Sequence, residues 1–414
     1  MKTLKLFVSA IEYSANIHLA NLLKSLQQSQ TPFILYGIFD STLLQQILGK
    51  IPEIANQTEA NTLDSSQDSN KTTSMNYTYF SQNIYNPESF RIMGFVGILK
   101  LIPTFFKLKA KLAQIALQCD MALFMDSSSF NIPLIQSIRK LSSQTQPFKK
   151  PRIVYYILPQ VWAWKPKRAQ ILSEICDELW GILPFEATFY PKTSTITYVG
   201  HPLLDAIPYS FDSPQKTQNI AFLPGSRKSE IRALFPIFNQ LAKDLKSQGK
   251  NAILIIPKAF EKQDLSAIYG DICAFEISFD TYAGLKKSEF AFVCSGTATL
   301  ESTLLGIPTI LAYKAKLLDY WIAKALVKLN YIGLANIFLE FHLFKTPKKN
   351  PNPSNFPIHP EFLQKDANVK NLKNAYLHFD YAHFFEQKKI LLEYLAYGSA
   401  ESCAKKIKNF AKNL

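Results

Sequence analysis

Apolar residues along this chain gather into short runs of strand length that alternate with longer amphipathic stretches. The runs lie at Leu4–Ser9, Phe33–Phe39, Ala122–Met125 and Ile153–Ile157, and helical spacing holds over Ile17–Gln27, Leu101–Gln118 and Ile132–Leu141. Alternation of this kind predicts an α/β fold, in which helices join the strands of a parallel sheet. A second series begins at Ile220 and runs through "NIAFLPGSRKSEI", "NAILIIPKAF", "EFAFVCSGTATLE" and "PTILAYKAK". Between the two series, "YSFDSPQKTQN" after Pro208 reads as a linker. The pattern therefore predicts two similar α/β halves, residues 1–208 and 209–370, followed by helical segments in 371–414. The polar stretch from Ala55 to Asn83 is poor in apolar residues and reads as a surface excursion rather than core.

Two strand-to-helix junctions in the second half have the composition of anion sites. After the apolar run Phe290–Cys294, the turn Ser295-Gly296-Thr297-Ala298-Thr299 opens a helix that Gly306 and Pro308 close. Free N–H groups and the positive end of the helix dipole leave such a turn, and hydroxyls add donors. The alternative is that Ser295 or Thr297 only caps the helix. The second junction is Pro224-Gly225-Ser226-Arg227, where Gly225 permits close backbone approach and Arg227 supplies a forked cation. With Glu301 six residues after Ser295 as an acceptor for ribose hydroxyls, the pair suggests a nucleotide diphosphate. There is no P-loop, no GxGxxG and no Asp-x-Asp, so a metal held by paired aspartates is not expected and no metal site is assigned.

In the first half, "ALFMDSSSFNIPL" puts Asp126 at the C-terminal end of a strand, where α/β sheets display working residues. It could take a proton from an attacking hydroxyl or cap the next helix. Glu12 holds the corresponding place after the first strand, and His201 in "YVGHPLLD" falls near the junction of the halves. "LPQVWAWKPKRAQ" sets Trp162 and Trp164 among basic residues and is expected to form a ligand-facing wall.

Composition narrows the partners. With 414 residues and 47% hydrophobic content the chain suits two globular domains, and its net charge of +14 calls for an anionic partner. Five cysteines without metal-ligand spacing support neither a disulfide framework nor zinc, and with no signal-peptide core at the N-terminus the expected compartment is the cytoplasm. No acidic residue occurs between Glu88 and Asp120, while lysines and phenylalanines crowd "IMGFVGILKLIPTFFKLKAKLAQIAL". That stretch reads equally as a helix lying in a membrane interface or as an amphipathic helix packed on the sheet; it is too short and too charged to span a bilayer. The basic tail "AKKIKNFAKNL" reads as a solvated helix face, and no nucleic-acid partner is expected.

Taken together, "VWAWKPKR", "VGHPLLD", "LPGSRKSEI", "SGTATLE", "YKAKLLDYWIAKALVKLNYIGLANIF" and "PEFLQ" occur in the order found in the lipid-A-disaccharide synthase family, which the chain resembles from about residue 4 to 365. The resemblance implies a GT-B fold, two Rossmann-like domains facing each other across a cleft. It implies an inverting glycosyltransferase without a cofactor, with UDP-2,3-diacylglucosamine as donor and 2,3-diacylglucosamine 1-phosphate as acceptor. Asp126 matches the family's base. Gly225, Ser226, Arg227, Ser295, Gly296, Thr297, Thr299 and Glu301 match its UDP-binding elements. Glu12, Ser14, Asn336, Glu361 and Gln364 match polar positions around its active site. Met93, Phe95, Val96, Ile98, Leu99, Lys100, Phe105, Phe106 and Lys107 fall in its membrane-contacting region, which implies a peripheral position on the inner membrane. The family also suggests a homodimer with exchanged C-terminal helices. Two departures stand out. The family's first turn, Gly-Glu-x-Ser-Gly-Asp, is "IEYSAN", with Ile11, Ala15 and Asn16 in place of two glycines and an acid. The family's second aspartate after the base is Ser129, which leaves Asp126 expected to lack an acidic neighbour. Alternatives are a UDP-binding protein of this fold without turnover and another transferase acting on UDP-N-acetylglucosamine.

Overall fold

The computed structural model describes residues 2–48, 78–81, 108–144, 150–314, 329–344 and 357–414. They divide into two compact units, one of Met1–Asp205 with Tyr397–Leu414, the other of Ala206–Ala396.

The first unit is built on a seven-stranded sheet of β1 (Leu4–Ala10), β2 (Phe33–Ile38), β3 (Thr78–Ser81), β4 (Met121–Met125), β5 (Arg152–Tyr156), β6 (Glu178–Gly181) and β7 (Ile196–Tyr198). Every pairing is parallel and the order is β3-β2-β1-β4-β5-β6-β7. The pleat of β1 sends Leu4, Leu6, Val8 and Ala10 into one core and Phe7 into the other, so helices must cover both faces. Helix Tyr13–Gln28 lies on the first face; helices 108–117, Ser128–Gln144 and Lys167–Ile175 lie on the second. One expectation is corrected. Thr78–Ser81, inside the stretch read as a surface excursion, is the edge strand β3, paired from Ile34 with Thr78 to Gly37 with Ser81. Its aromatic and β-branched residues suit a strand, but four residues between polar flanks give no periodic signal.

The chain returns to this unit at its end. Helix Ser399–Lys412 buries Cys403, Ala404, Ile407 and Ala411 in the core shared with helix Tyr13–Gln28. The motif "VGHPLLD" receives it. Gly200 has φ +98°, and a Cβ there would lie 2.4 Å from the Gly398 carbonyl oxygen. The His201 N–H donates to the Tyr397 carbonyl at 2.9 Å. The Asp205 carboxylate accepts the N–H groups of Ser399 at 2.8 Å and Ala400 at 3.0 Å, filling the first turn of the last helix.

The second unit repeats the plan with β8 (Asn219–Leu223), β9 (Asn251–Ile255), β10 (Phe275–Ser278), β11 (Phe290–Cys294), β12 (Thr309–Tyr313) and β13 (Glu361–Leu363), all parallel in the order β10-β9-β8-β11-β12-β13. The start of "YSFDSPQKTQN" is no free linker. The Phe211 N–H donates to Leu305 O at 2.8 Å and Ser210 Oγ to Leu304 O at 2.7 Å. Gly306, at φ +78°, makes room for the Phe211 carbonyl. The buried Lys388 ammonium donates to that carbonyl at 2.5 Å and pairs with Asp212 at 2.9 Å.

Gly200→Ala is expected to lower stability by about 2–4 kcal/mol, because strain at positive φ adds to the clash with Gly398. Chemical denaturation of parent and variant reads this loss; an unchanged midpoint would refute the role given to Gly200.

Candidate active site

In the first unit the site grows from the end of β4. Asp126 and Ser127 both have positive φ, +49° and +36°, a conformation that costs roughly 1–3 kcal/mol at each non-glycine residue. Four hydrogen bonds hold it. Asn131 Nδ2 donates to Met125 O at 3.1 Å and to Asp126 O at 2.9 Å. The Tyr155 hydroxyl donates to the Asp126 carbonyl, and the Asp126 N–H donates to Tyr156 O at 3.2 Å. Asn131 is itself fixed, buried, by Ser9 Oγ from β1 at 2.7 Å. The turn thus lifts the Asp126 side chain out of the sheet. Its carboxylate does not cap the following helix, whose first turn closes on the Ser127 carbonyl through the N–H groups of Phe130 and Asn131. Burial raises the Asp126 pKa, the Ser127 N–H opposes the rise, and the charge of Glu12 adds to it.

That last effect corrects the expectation that Asp126 lacks an acidic neighbour. Ser127 Oγ donates to Glu12 Oε1 at 3.3 Å, so the first turn of the sheet brings its carboxylate to the β4 turn. Ser14 is exposed in the first turn of helix Tyr13–Gln28, which Glu12 precedes. Asn16, which replaces an acid, is buried and fully engaged. Its Nδ2 donates to Ala10 O and Glu12 O, both at 2.9 Å, and its Oδ1 accepts the Asp40 N–H at 2.7 Å. An aspartate could accept from Asp40 but could not donate to the two carbonyls, so the bulkier turn carries its own brace.

In the second unit the two predicted turns end adjacent strands, β8 and β11. Gly225 has φ +108°; a Cβ there would lie 2.7 Å from Glu230 Oε2 and 3.2 Å from Cys294 Sγ. Ser226 and Arg227 are exposed. Arg227 stands at the cap of helix Lys228–Lys246, where Glu230 accepts its N–H at 3.3 Å and its guanidinium at 3.0 Å. Gly296 has φ +142° with no atom within 4 Å of an added Cβ, so the space above that turn is open. Ser295 is half-buried and Thr297 exposed; the Thr299 N–H turns back to Gly296 O at 3.4 Å, and the N–H groups of Thr297 and Ala298 precede any intrahelical acceptor. Thr299 is different: it is buried, and its hydroxyl donates to Gly296 O at 2.8 Å, bracing the turn from beneath. Glu301 has no hydrogen-bond partner among the described residues, and burial raises its pKa. It also pushes up the nearby Tyr282 phenol, after burial, to about 12.

The remaining candidates divide. Asn336 is buried and committed: Nδ2 donates to His359 O at 2.9 Å and Glu361 Oε1 at 2.8 Å, and Oδ1 accepts the Ile358 N–H at 3.0 Å. The Glu361 carboxylate also accepts the N–H groups of Ile332 at 2.8 Å and Gly333 at 3.0 Å. Burial raises its pKa to about 7 despite these donors. Both residues therefore pin the 330–333 loop to β13. Gln364, just past that strand with φ +53°, has a buried Nε2 without a partner. His201 is buried, accepts the Leu203 N–H on Nδ1 at 3.3 Å, and has its pKa lowered to about 3 by burial and by His18. It belongs to the seam that holds the last helix. Trp162 packs edge-on against Phe185 at 5.5 Å, whereas Trp164 is exposed. Met93, Phe95, Val96, Ile98, Leu99, Lys100, Phe105, Phe106 and Lys107 lie outside the described residues. Sequence reasoning missed Asn131, Tyr155, Glu230 and Arg168. For Asn131, five positions after Asp126 in "DSSSFN", the missed signal is an amide on the buried face of a helix.

Comparison with known proteins supplies the context. A family model described as lipid-A-disaccharide synthetase matches residues 75–403. A lipid-A-disaccharide synthase of Helicobacter acinonychis (strain Sheeba) is 40% identical over 405 residues, 97% of each chain. One of Campylobacter jejuni (strain RM1221) is 41% identical, covering 98% of this chain and 99% of that one. Among solved structures, the calicheamicin glycosyltransferase CalG4 aligns over 100% of both chains with a TM-score of 0.55 at 10% identity. The UDP-GlcNAc 2-epimerase from Neisseria meningitidis aligns over 100% of both chains with a TM-score of 0.52 at 12% identity. At such identities the two structures share the fold alone.

Asn131→Leu, which removes the brace of the Asp126 turn, is expected to cost about 2–4 kcal/mol and to shift the urea midpoint without changing the slope. A second outcome follows from Glu361, whose pKa is raised from 4.5 to about 7. Its stabilising contribution is complete below the unfolded value and is lost as pH rises through about 7. The stability of Glu361→Gln relative to the parent should therefore improve steadily between pH 4.5 and 7; a pH-independent difference would contradict the assignment.

Proposed function

Since the chain belongs to the lipid-A-disaccharide synthetase family and has its two-domain GT-B glycosyltransferase fold, we propose the following reaction. It transfers 2,3-diacylglucosamine from UDP-2,3-diacylglucosamine to the 6-hydroxyl of 2,3-diacylglucosamine 1-phosphate. Asp126 removes the hydroxyl proton, the oxygen attacks C1 of the donor from the face opposite the leaving group, and UDP departs as the C1–O bond breaks. The observation that carries this reading is the Asp126 carboxylate, held out by a left-handed turn, spared from helix capping and raised in pKa toward the range useful to a base.

Departing UDP carries charge that Arg227, the N–H groups of Ser295–Thr297 and the hydroxyls of Ser226 and Thr297 meet. To take the diphosphate, the Arg227 guanidinium turns from Glu230, a partner that holds it at 3.0 Å on an exposed side chain. Glu301, without a competing partner, accepts the ribose hydroxyls. Gln364 Nε2 supplies a donor to the sugar. Asn336 and Glu361 act by shaping the 330–333 loop. No metal is required in this scheme, so activity in EDTA is an expected outcome. The first domain takes the acceptor and the second the UDP-sugar. Residues 93–107 seat the enzyme on the inner-membrane surface, and the same family reading gives a homodimer. No helix among the described residues is long and apolar enough to cross a membrane.

Asp126→Asn should lower kcat by about a hundredfold or more while leaving unfolding and UDP binding near the parent's. In the parent, kcat/KM should fall on the acid side as Asp126 protonates, at a pH above the ordinary value of 3.8. A parent that binds UDP but yields no disaccharide would refute the catalytic reading.

A further inference from the structure

The reaction as described leaves one cation beside Asp126 unused. Arg168 stands in the first turn of helix Lys167–Ile175, and its guanidinium reaches the helix that follows Asp126. Nη1 donates to Ser128 Oγ at 2.6 Å and Nη2 to Ser129 Oγ at 3.2 Å. Both partners are neutral. Among the described residues no carboxylate forms an ion pair with Arg168, whereas Arg139, Arg152 and Arg227 each have one. A guanidinium has five N–H donors, so most of this fork stays free. The acids of this turn, Asp126 and Glu12, form no ion pair with it, and from Ser127 to Ser173 the sequence contains no aspartate or glutamate while it includes Lys165 and Lys167. Both lysines are exposed, with the Lys165 ammonium 5.6 Å from the ring of the exposed Trp164.

We propose that Arg168 binds the phosphate monoester of the acceptor and thereby sets which hydroxyl meets Asp126. The inference rests on the acceptor assigned above. Ser128 and Ser129 fix the plane of the guanidinium, and its remaining donors match phosphate oxygens in the bidentate manner that lysine cannot reproduce. The order of groups along the chain fits. C1 and C5 of glucosamine flank the ring oxygen, so a 1-phosphate and a 6-hydroxyl leave the sugar from adjoining corners. Likewise, the serines that hold Arg168 follow Asp126 by two and three positions. Lys165 and Lys167 add long-range attraction. Arg168 is a specificity residue in this account, and the proton transfer remains with Asp126.

The test compares the parent, Arg168→Gln and Arg168→Lys in neutral detergent micelles, with 2,3-diacylglucosamine 1-phosphate and with its phosphate-free counterpart as acceptors. With the phosphorylated acceptor, Arg168→Gln should lose about 10- to 100-fold in kcat/KM with an unchanged KM for the UDP-sugar, and Arg168→Lys should recover part of it. With the phosphate-free acceptor the parent should already be slow, and the variants should match it within about twofold, because the group they would have bound is absent. Equal losses with both acceptors would overturn the proposal and leave Arg168 a scaffold of the Ser128–Ser129 turn. Repeating the comparison on vesicles of anionic phospholipid completes the test: a loss seen there and absent from the neutral micelles would also overturn it, by assigning the arginine to the membrane surface. No product from the parent with either acceptor would be a different failure, that of the acceptor assignment and this inference with it.

Discussion

A strand covered on both faces can display polar chemistry only where it ends. Both sheets of this protein are parallel and doubly covered, so every strand stops on the same edge of its unit, and the interior of each strand is given over to packing. The candidate chemistry follows that constraint closely. β4 ends in Asp126, β8 in the Gly225 turn, β11 in Ser295 and Gly296, and β13 runs into Gln364. At all four ends a residue with positive φ turns the chain abruptly off the sheet, glycine at two of them and Asp126 and Gln364 at the others. The non-glycine cases cost conformational energy, and at β4 that cost is offset by a buried amide, Asn131, whose side chain joins β1 to β4 through Ser9, Met125 and Asp126.

How much of this is readable from the sequence depends on the range of the interaction. Strands such as Phe290–Cys294, where every residue is buried, announce themselves as apolar runs, and Gly and Pro mark the turns that follow. The two halves and the positions of Asp126, Arg227 and Ser295 are legible for that reason. Side-chain hydrogen bonds between distant segments leave no such trace. Nothing local shows that Ser127 will bring Glu12 to Asp126 across 115 positions, that Asn16 will reach the Asp40 backbone, or that Asp205 will cap a helix that starts at Ser399. Polar residues of one motif also divide by burial in ways composition cannot tell. Thr297 faces outward while Thr299, two residues later, is inside, and Asn336 spends its amide entirely on the chain. The short strand β3 escapes detection because four residues between polar flanks resemble a loop.

Placement of carboxylates separates the roles that sequence alone had merged. Glu230, Glu361 and Asp205 each accept backbone N–H groups at the start of a turn or helix, so they substitute for an external anion and stabilise the chain. Asp126 accepts only the N–H of its neighbour Ser127 and caps no helix, Glu301 accepts none among the described residues, and both pKa values rise because burial finds no full compensation. Carboxylates left in that condition are the ones able to take a proton or a hydroxyl hydrogen bond from a substrate. The same reasoning sets Arg168, held by neutral serines, apart from Arg139 and Arg152, whose charges are already answered.

The claim that most needs direct measurement is the identity of the bond formed. Purified protein given UDP-2,3-diacylglucosamine and 2,3-diacylglucosamine 1-phosphate in detergent should release UDP in step with a disaccharide 1-phosphate, and NMR of that product should show a β linkage from C1 to O6. UDP released without disaccharide, a donor epimerised at its sugar, or a different linkage would contradict the account.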